Sequence, residues 1–318
     1  MRIIFMGTPD FAVPSLDILV RNKYDVAAVV TMPDKPAGRG QQVQESAVKK
    51  YAVEHGIKVL QPEKLKSDEF ISALSSLKAD LQIVVAFRML PEVVWNMPPL
   101  GTYNLHASLL PQYRGAAPIN WAIINGEKES GATTFKLQHE IDTGSILFQH
   151  RVKLSEDITA GELHDILMVE GAELILKTVK AIENGNYELR SQEKVAVKES
   201  DLKHAPKIFK ETCRVNWNSD LRNVHNYVRG LSPYPTAWSE LRDDKNNVSV
   251  MKIYRTHKEE AEHEYEPGLV VSDGKNFLKV ACINGFIYID ELQLAGKKRM
   301  GVTEFLRGFQ VRPGFEFI

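Results

Sequence analysis

The chain has 318 residues, too many for one ordinary core, so two domains are expected. Hydrophobic residues make up 43% and charged residues 25%, the balance of a soluble globular protein. With 40 Lys and Arg against 41 Asp and Glu the net charge is -1, which excludes a surface coated in positive charge.

Arg2 and the short apolar run Ile3-Ile4-Phe5-Met6 break at Gly7-Thr8-Pro9, too early for a signal peptide and suited to a buried strand. No apolar run is long enough to span a membrane. Cys213 and Cys282 cannot make a disulfide framework and lack zinc-site spacing, so both are read as small buried apolar residues in a cytoplasmic, reducing setting. Asp10 to Val20 carries apolar residues at helical spacing after Pro9. Val26–Val30 reads as a second buried strand, Ser46–His55 as a helix stopped by Gly56, and Leu81–Ala86 as a third strand. This succession predicts a parallel sheet covered on both faces, a Rossmann-like α/β domain.

Gly131–Leu137 and Ser145–Leu154 follow as two strands joined through Asp142-Thr143-Gly144, and Thr159–Glu183 as a long amphipathic helix ending on Asn184-Gly185. Residues 186–207 are polar and poorly periodic. They hold a linker at 190–207 between a first domain over 1–189 and a second over 208–318. The second domain opens with a short helical pattern at Leu221–Val228. Strands follow at Thr236–Leu241, Val248–Tyr254, Gly268–Val271, Phe277–Ala281 and Phe286–Leu294, which suggests a small β-barrel such as an oligonucleotide-binding-like (OB-like) module. From residue 206 on the net charge is +2, against -3 before it, a balance compatible with contact to RNA.

Four stretches could carry chemistry. Gly7 at the first strand-to-helix turn is either a packing glycine or an anion site, and its single glycine excludes the dinucleotide fingerprint of a nicotinamide oxidoreductase. Asp34 to Gln42 is either a solvated loop or a mobile one that brings Lys35 and Arg39 to a phosphate backbone. Asn104 and His106 lie two apart at the end of a strand and so share a face, where an amide and an imidazole can serve an oxyanion and a proton. The apolar loop from Ala107 through Ser108-Leu109-Leu110-Pro111 to Ile119 is read as a pocket wall. Asp142 is either a turn residue or a partner that orients His106.

Gly101 to Ile119 and Ile141-Asp142-Thr143-Gly144 resemble the signature of the 10-formyltetrahydrofolate-dependent formyltransferases. Phe5-Met6-Gly7-Thr8-Pro9-Asp10-Phe11-Ala12 and Lys35-Pro36-Ala37-Gly38-Arg39-Gly40 resemble the branch that formylates initiator methionyl-tRNA. Two stretches depart from that pattern: Arg88 stands where glycine is more usual, and Gln138-His139-Glu140 precede Ile141. The resemblance implies that Asn104, His106 and Asp142 are catalytic. It places the pterin of 10-formyltetrahydrofolate against Phe87, Arg88, Met89, Leu90, Ser108, Leu109, Leu110, Pro111 and Ile141. It also puts Phe11 near the methionine side chain, and Lys35, Arg39 and the cluster Lys297-Lys298-Arg299 on the tRNA. No metal, membrane or obligatory protein partner is implied. A small-amine formyltransferase and an inert RNA-binding protein are the competing readings.

Overall fold

The computed structural model describes residues 1–37, 42–194 and 199–318. They form two compact units, the first from Met1–Gly115, Gly131–Val152 and His164–His204, the second from Ala116–Ser130, Lys153–Leu163 and Ala205–Ile318. The first is built on a sheet of β1 (Arg2–Gly7), β2 (Asp25–Val30), β3 (Val59–Leu60), β4 (Leu81–Val85), β5 (Thr102–His106), β6 (Glu129–Lys136) and β7 (Ile146–Lys153). Their spatial order is β7-β6-β5-β4-β1-β2-β3. β1 pairs in parallel with β2 and β4, β2 with β3, and β4 with β5, whereas β6 runs antiparallel to β5. Successive strands thus depart in opposite directions from β1, which creates a switch point between β1 and β4, the place where open α/β sheets bind ligands.

Gly7 ends β1 for a packing reason. A Cβ there would stand 2.8 Å from the Ala12 Cβ and 3.0 Å from the Val85 carbonyl oxygen, so only glycine lets the next turn close onto β4. The helix expected over Asp10–Val20 is in fact a 3-10 turn at Asp10–Ala12 followed by an α-helix at Val13–Arg21. Pro14 would break the hydrogen-bond ladder of a helix begun at Asp10, but is tolerated in the first turn of one begun at Val13. The helix Ala47–Glu54 starts on Ser46, whose hydroxyl accepts the Lys49 amide at 3.1 Å. A helix at Asp68–Ser76, unforeseen in the sequence, buries Phe70 and Leu74 with Ile4, Met6 and Val84.

The long helix Ala160–Glu183 covers one face of the sheet. Gly171 lets it approach so closely that a Cβ there would meet Leu105 Cδ2 at 2.7 Å, and the Thr134 and Thr178 hydroxyls join at 2.8 Å. Leu105 therefore points to the helix, and the alternation of β5 turns Asn104 and His106 to the other face.

The second unit carries the sheet of β8 (Ala237–Arg242), β9 (Val248–Glu260), β10 (Val270–Ser272), β11 (Leu278–Cys282), β12 (Gly285–Leu294), β13 (Met300–Gly301) and β14 (Glu316–Phe317). The order is β10-β11-β12-β9-β8-β14, with β13 added to β12. A bridge from Leu269 to Glu316 and the Val270 amide on the Phe315 carbonyl bring the two ends together, so the sheet curls into a nearly closed barrel. The register shifts between Ile253 and Thr256 bend the long β9 for that purpose. Leu221, Val224, Val228 and Leu231, at helical spacing on Leu221–Leu231, fill the core with Ile253, Ile287 and Leu292. Both cysteines are buried there, and burial pushes the Cys282 thiol up to about 12. Among the described residues no helix is long and apolar enough to cross a membrane.

His225 is buried on that helix, with Nδ1 at 2.9 Å from the Thr256 hydroxyl and Nε2 at 3.2 Å from Asp157. Burial, aided by the cations Lys258 and Arg229, outweighs Asp157 and lowers its pKa from 6.5 to about 4. Between these values the unfolded chain binds the extra proton, so this contribution is complete above pH 6.5 and is lost as pH falls toward about 4. Urea unfolding of the wild type and of His225→Gln across this range should show the wild type losing stability more steeply with acid. Parallel slopes would remove this role from His225.

Candidate active site

The site grows from the end of β5. His106 is buried, and its Nε2 lies 2.8 Å from the Tyr113 carbonyl oxygen. A carbonyl only accepts, so Nε2 carries the hydrogen and donates it, leaving Nδ1 as the nitrogen free to take up a proton. Nδ1 faces Asp142 Oδ2 at 3.9 Å, beyond hydrogen-bond reach but close enough for strong attraction once the ring is protonated. The Tyr113 backbone aims its carbonyl by adopting φ 61°, and its own amide donates to the Lys203 carbonyl at 2.6 Å.

Asp142 lies in the connection between β6 and β7. β6 ends with Lys136 opposite Tyr103, and the connection to β7 folds back along β5. Asp142 sits at φ 56°, a left-handed conformation that Asp tolerates better than most residues. Its Oδ2 accepts the Gly115 amide at 3.0 Å, and its carbonyl accepts the Gln192 side-chain amide at 2.8 Å. The buried Gln192 also donates to the Gly144 carbonyl at 2.8 Å, and its Oε1 accepts from Arg114 at 3.1 and 2.7 Å. Asn104 is half-buried on the face that His106 shares.

The loop after β5 is fixed from beneath. Ser108 donates to the Gln112 carbonyl at 2.7 Å and spends its hydroxyl inside the loop. Thr133 donates to the Ser108 carbonyl at 2.6 Å and accepts the Leu110 amide at 3.2 Å and the Gln149 amide at 3.1 Å. Leu110 packs with Phe135 and Ile146, Pro111 is buried, and Leu109 lies against Gly131. After β4, Ala86 turns the chain at φ 47°. Phe87 and Leu90 then join the core, whereas Met89 is 74% exposed and Ile141, beside Asp142, is 63% exposed. Arg88 spans two loops, donating to the Pro62 and Glu63 carbonyls. Phe11 is buried with its ring 5.2 Å from that of His164.

Lys35 is exposed at the start of a hairpin, Lys35–Ala37 with Gln42–Gln44, whose base is pinned by Asp34 to Lys49 and Gln61. These partners hold the Asp34 carboxyl below the usual carboxylate range. Arg39 lies outside the described residues. In the second unit Lys297 and Lys298 are exposed, but Arg299 grips Glu291 through two hydrogen bonds of 2.7 and 2.6 Å and lies 4.1 Å over the Tyr254 ring. A groove of about 810 Å³ in this unit, with Lys207, Lys210, Lys252, Trp238 and a largely exposed Tyr234 on its walls, had not been singled out from sequence. Tyr113 and Gln192 carry no sequence signal of their own, while Arg114 and Gly115 fall in the stretch read as a pocket wall. Among the described residues no three His, Cys, Asp or Glu side chains converge as metal ligands.

Thr133→Val tests the buttress. Valine fills the same space but leaves the Ser108 carbonyl, the Leu110 amide and the Gln149 amide without their common partner, a loss of about 1–3 kcal/mol in urea unfolding. Wild-type stability would show that the loop stands without it.

The pattern of the formyl transferase family matches residues 1–179, and that of the formyl transferase C-terminal domain matches residues 207–310. A methionyl-tRNA formyltransferase of Bacteroides fragilis is 56% identical over 316 residues, 99% of this chain and 97% of that protein. One from Flavobacterium johnsoniae is 52% identical over 308 residues, 97% of this chain and 96% of that protein. Among solved structures, the sugar 3N-formyl transferase WlaRD, in the presence of dTDP and 5-N-formyl-THF, has a TM-score of 0.65 at 20% identity, covering 94% of this chain and 99% of that one. HypX from Aquifex aeolicus in complex with tetrahydrofolic acid has a TM-score of 0.61 at 20% identity, covering 98% of this chain and 49% of that one. These two share the fold. With both patterns present and relatives more than half identical along nearly the whole length, the chain belongs to the formyl transferase family.

Proposed function

We propose that this protein transfers the formyl group of 10-formyltetrahydrofolate to the α-amine of methionine carried by initiator tRNA, in the cytoplasm and without a metal. The observation that carries the reading is the single buried point where His106 Nδ1 faces Asp142 while Nε2 is committed to Tyr113. The neutral amine attacks the formyl carbon, a tetrahedral oxyanion forms, and the bond to the folate nitrogen breaks. Asn104 donates its amide hydrogen to the oxyanion. Nδ1 takes the proton the amine must lose, and while protonated it too is a donor to the oxyanion. It then returns the proton to the leaving nitrogen. Asp142 stabilises the imidazolium at that stage. The exposed Met89 and Ile141 offer apolar surface to a flat pterin ring.

The relatives' action on methionyl-tRNA supports the choice of acceptor. Residues 1–189 supply the reacting groups, 190–207 the connection, which also braces Asp142 through Gln192, and 208–318 an RNA-binding module. Lys297 and Lys298 meet phosphates, Arg299 shapes their turn through Glu291, and the lysine-bordered groove offers Tyr234 for stacking. Lys35 and Arg39 approach the acceptor end, and Phe11 flanks the methionine side chain.

Formylation assays with charged tRNA and with amino sugars test the reading directly. Asn104→Ala and His106→Ala should each lower kcat with charged tRNA by about 10²–10³, while KM for the folate changes little. Asp142→Asn should lose activity and stay folded. Rates near wild type in all three, or formylation of an amino sugar in place of charged tRNA, would overturn it. Lys297→Ala with Lys298→Ala should reduce the salt slope of tRNA binding by about two, and Arg39→Ala by about one. An unchanged slope would take these residues off the RNA.

A further inference from the structure

We infer that Gln192 is a positioning residue for Asp142, and that Arg114 fixes the direction in which its amide acts. The inference rests on the catalytic reading of Asp142 given above. Arg114 has only donors, so the Gln192 atom it grips at 2.7 and 3.1 Å is the oxygen. The Asp142 and Gly144 carbonyls only accept, so the Gln192 atom that meets both at 2.8 Å is the nitrogen. The two demands agree, and no flipped amide satisfies either. A closed ring results. It runs from the Gln192 amide to the Asp142 backbone, from the Asp142 carboxylate to the Gly115 amide, along the chain to Arg114, and through its guanidinium back to Gln192. The ring holds Asp142 by its carbonyl and its carboxylate together, in a left-handed conformation that needs support.

Gln192 touches neither Asn104 nor His106 among its hydrogen bonds. Its effect on the reaction passes through the place it gives Asp142, whose carboxylate stands 3.9 Å from Nδ1 with no hydrogen bond to the ring to correct an error. A displacement of about 1 Å at such a group is enough to cost on the order of 10²-fold in rate.

The experiment is a double-mutant cycle in formylation of methionyl-tRNA, with hydrogen exchange at the Gly115 amide followed in the same full-length proteins. Gln192→Ala should lower kcat about 10-fold or more, leave the folate KM within about 2-fold, and speed exchange at Gly115 while the melting curve stays cooperative. In the Asp142→Asn background the same change should cost less than about 2-fold, because the carboxylate it positions is gone. Arg114→Met, which frees the Gln192 amide to rotate, should cost less than Gln192→Ala and depend on Asp142 in the same way. Equal losses from Gln192→Ala in both backgrounds, or unchanged Gly115 exchange, would overturn the inference. If the wild type did not formylate methionyl-tRNA, the functional reading would fall, and Gly115 exchange would still decide whether Gln192 holds Asp142.

Discussion

A single hydrogen bond, from His106 Nε2 to the Tyr113 carbonyl, fixes the tautomer on which the proposed chemistry depends. It consumes one ring nitrogen in both protonation states and assigns proton uptake to the other, which faces Asp142. Much of the surrounding architecture serves to keep that bond in place. The carbonyl must point inward, so Tyr113 adopts a left-handed conformation and ties its amide to Lys203. The loop between the two residues must not drift, so Thr133 and Gln149 fasten it to the sheet. The long helix, drawn close at Gly171, takes the opposite face and leaves this one to Asn104 and His106.

Asp142 comes to His106 from the far end of β5. Antiparallel β6 ends opposite Tyr103, so the connection to β7 runs back along β5 to set Asp142 beside His106. This connection buys its reach with an unfavourable backbone at Asp142. Gln192, Arg114 and Gly115 supply the hydrogen bonds that make it tenable.

The sheet was legible in the sequence because its inner strands are continuously apolar: β1, β2 and β4 fall within a residue of the ranges their side chains suggest. Five barrel strands were legible too, although β9 runs on to Glu260 past the expected end at Tyr254 because its bulge interrupts the alternation. The two-residue β13 and β14 were not, being too short to show a pattern. The split at Pro14 was readable in principle. The helix Asp68–Ser76 carries a capping signal in Ser67, which accepts the Phe70 amide at its start. The grouping of Asn104, His106 and Asp142 was legible from their side chains, and the backbone groups around them were hidden. The Tyr113 carbonyl and the Gly115 amide have no residue signature. Gln192 lay in a polar stretch read as a linker, since its two acceptors are main-chain carbonyls brought near only by folding. Arg299 shows the converse, a basic residue in a basic cluster whose charge is already met by Glu291.

The tautomer of His106 is the most direct test of this account, and the nitrogen-15 chemical shifts of its ring report it. The neutral imidazole should carry its hydrogen on Nε2, with that proton protected from exchange by the Tyr113 carbonyl, and Nδ1 should show the shift of an unprotonated ring nitrogen. A neutral ring protonated at Nδ1 would contradict the account, because Nε2 would then have nothing to donate to Tyr113 and Asp142 would hold the ring by a direct hydrogen bond.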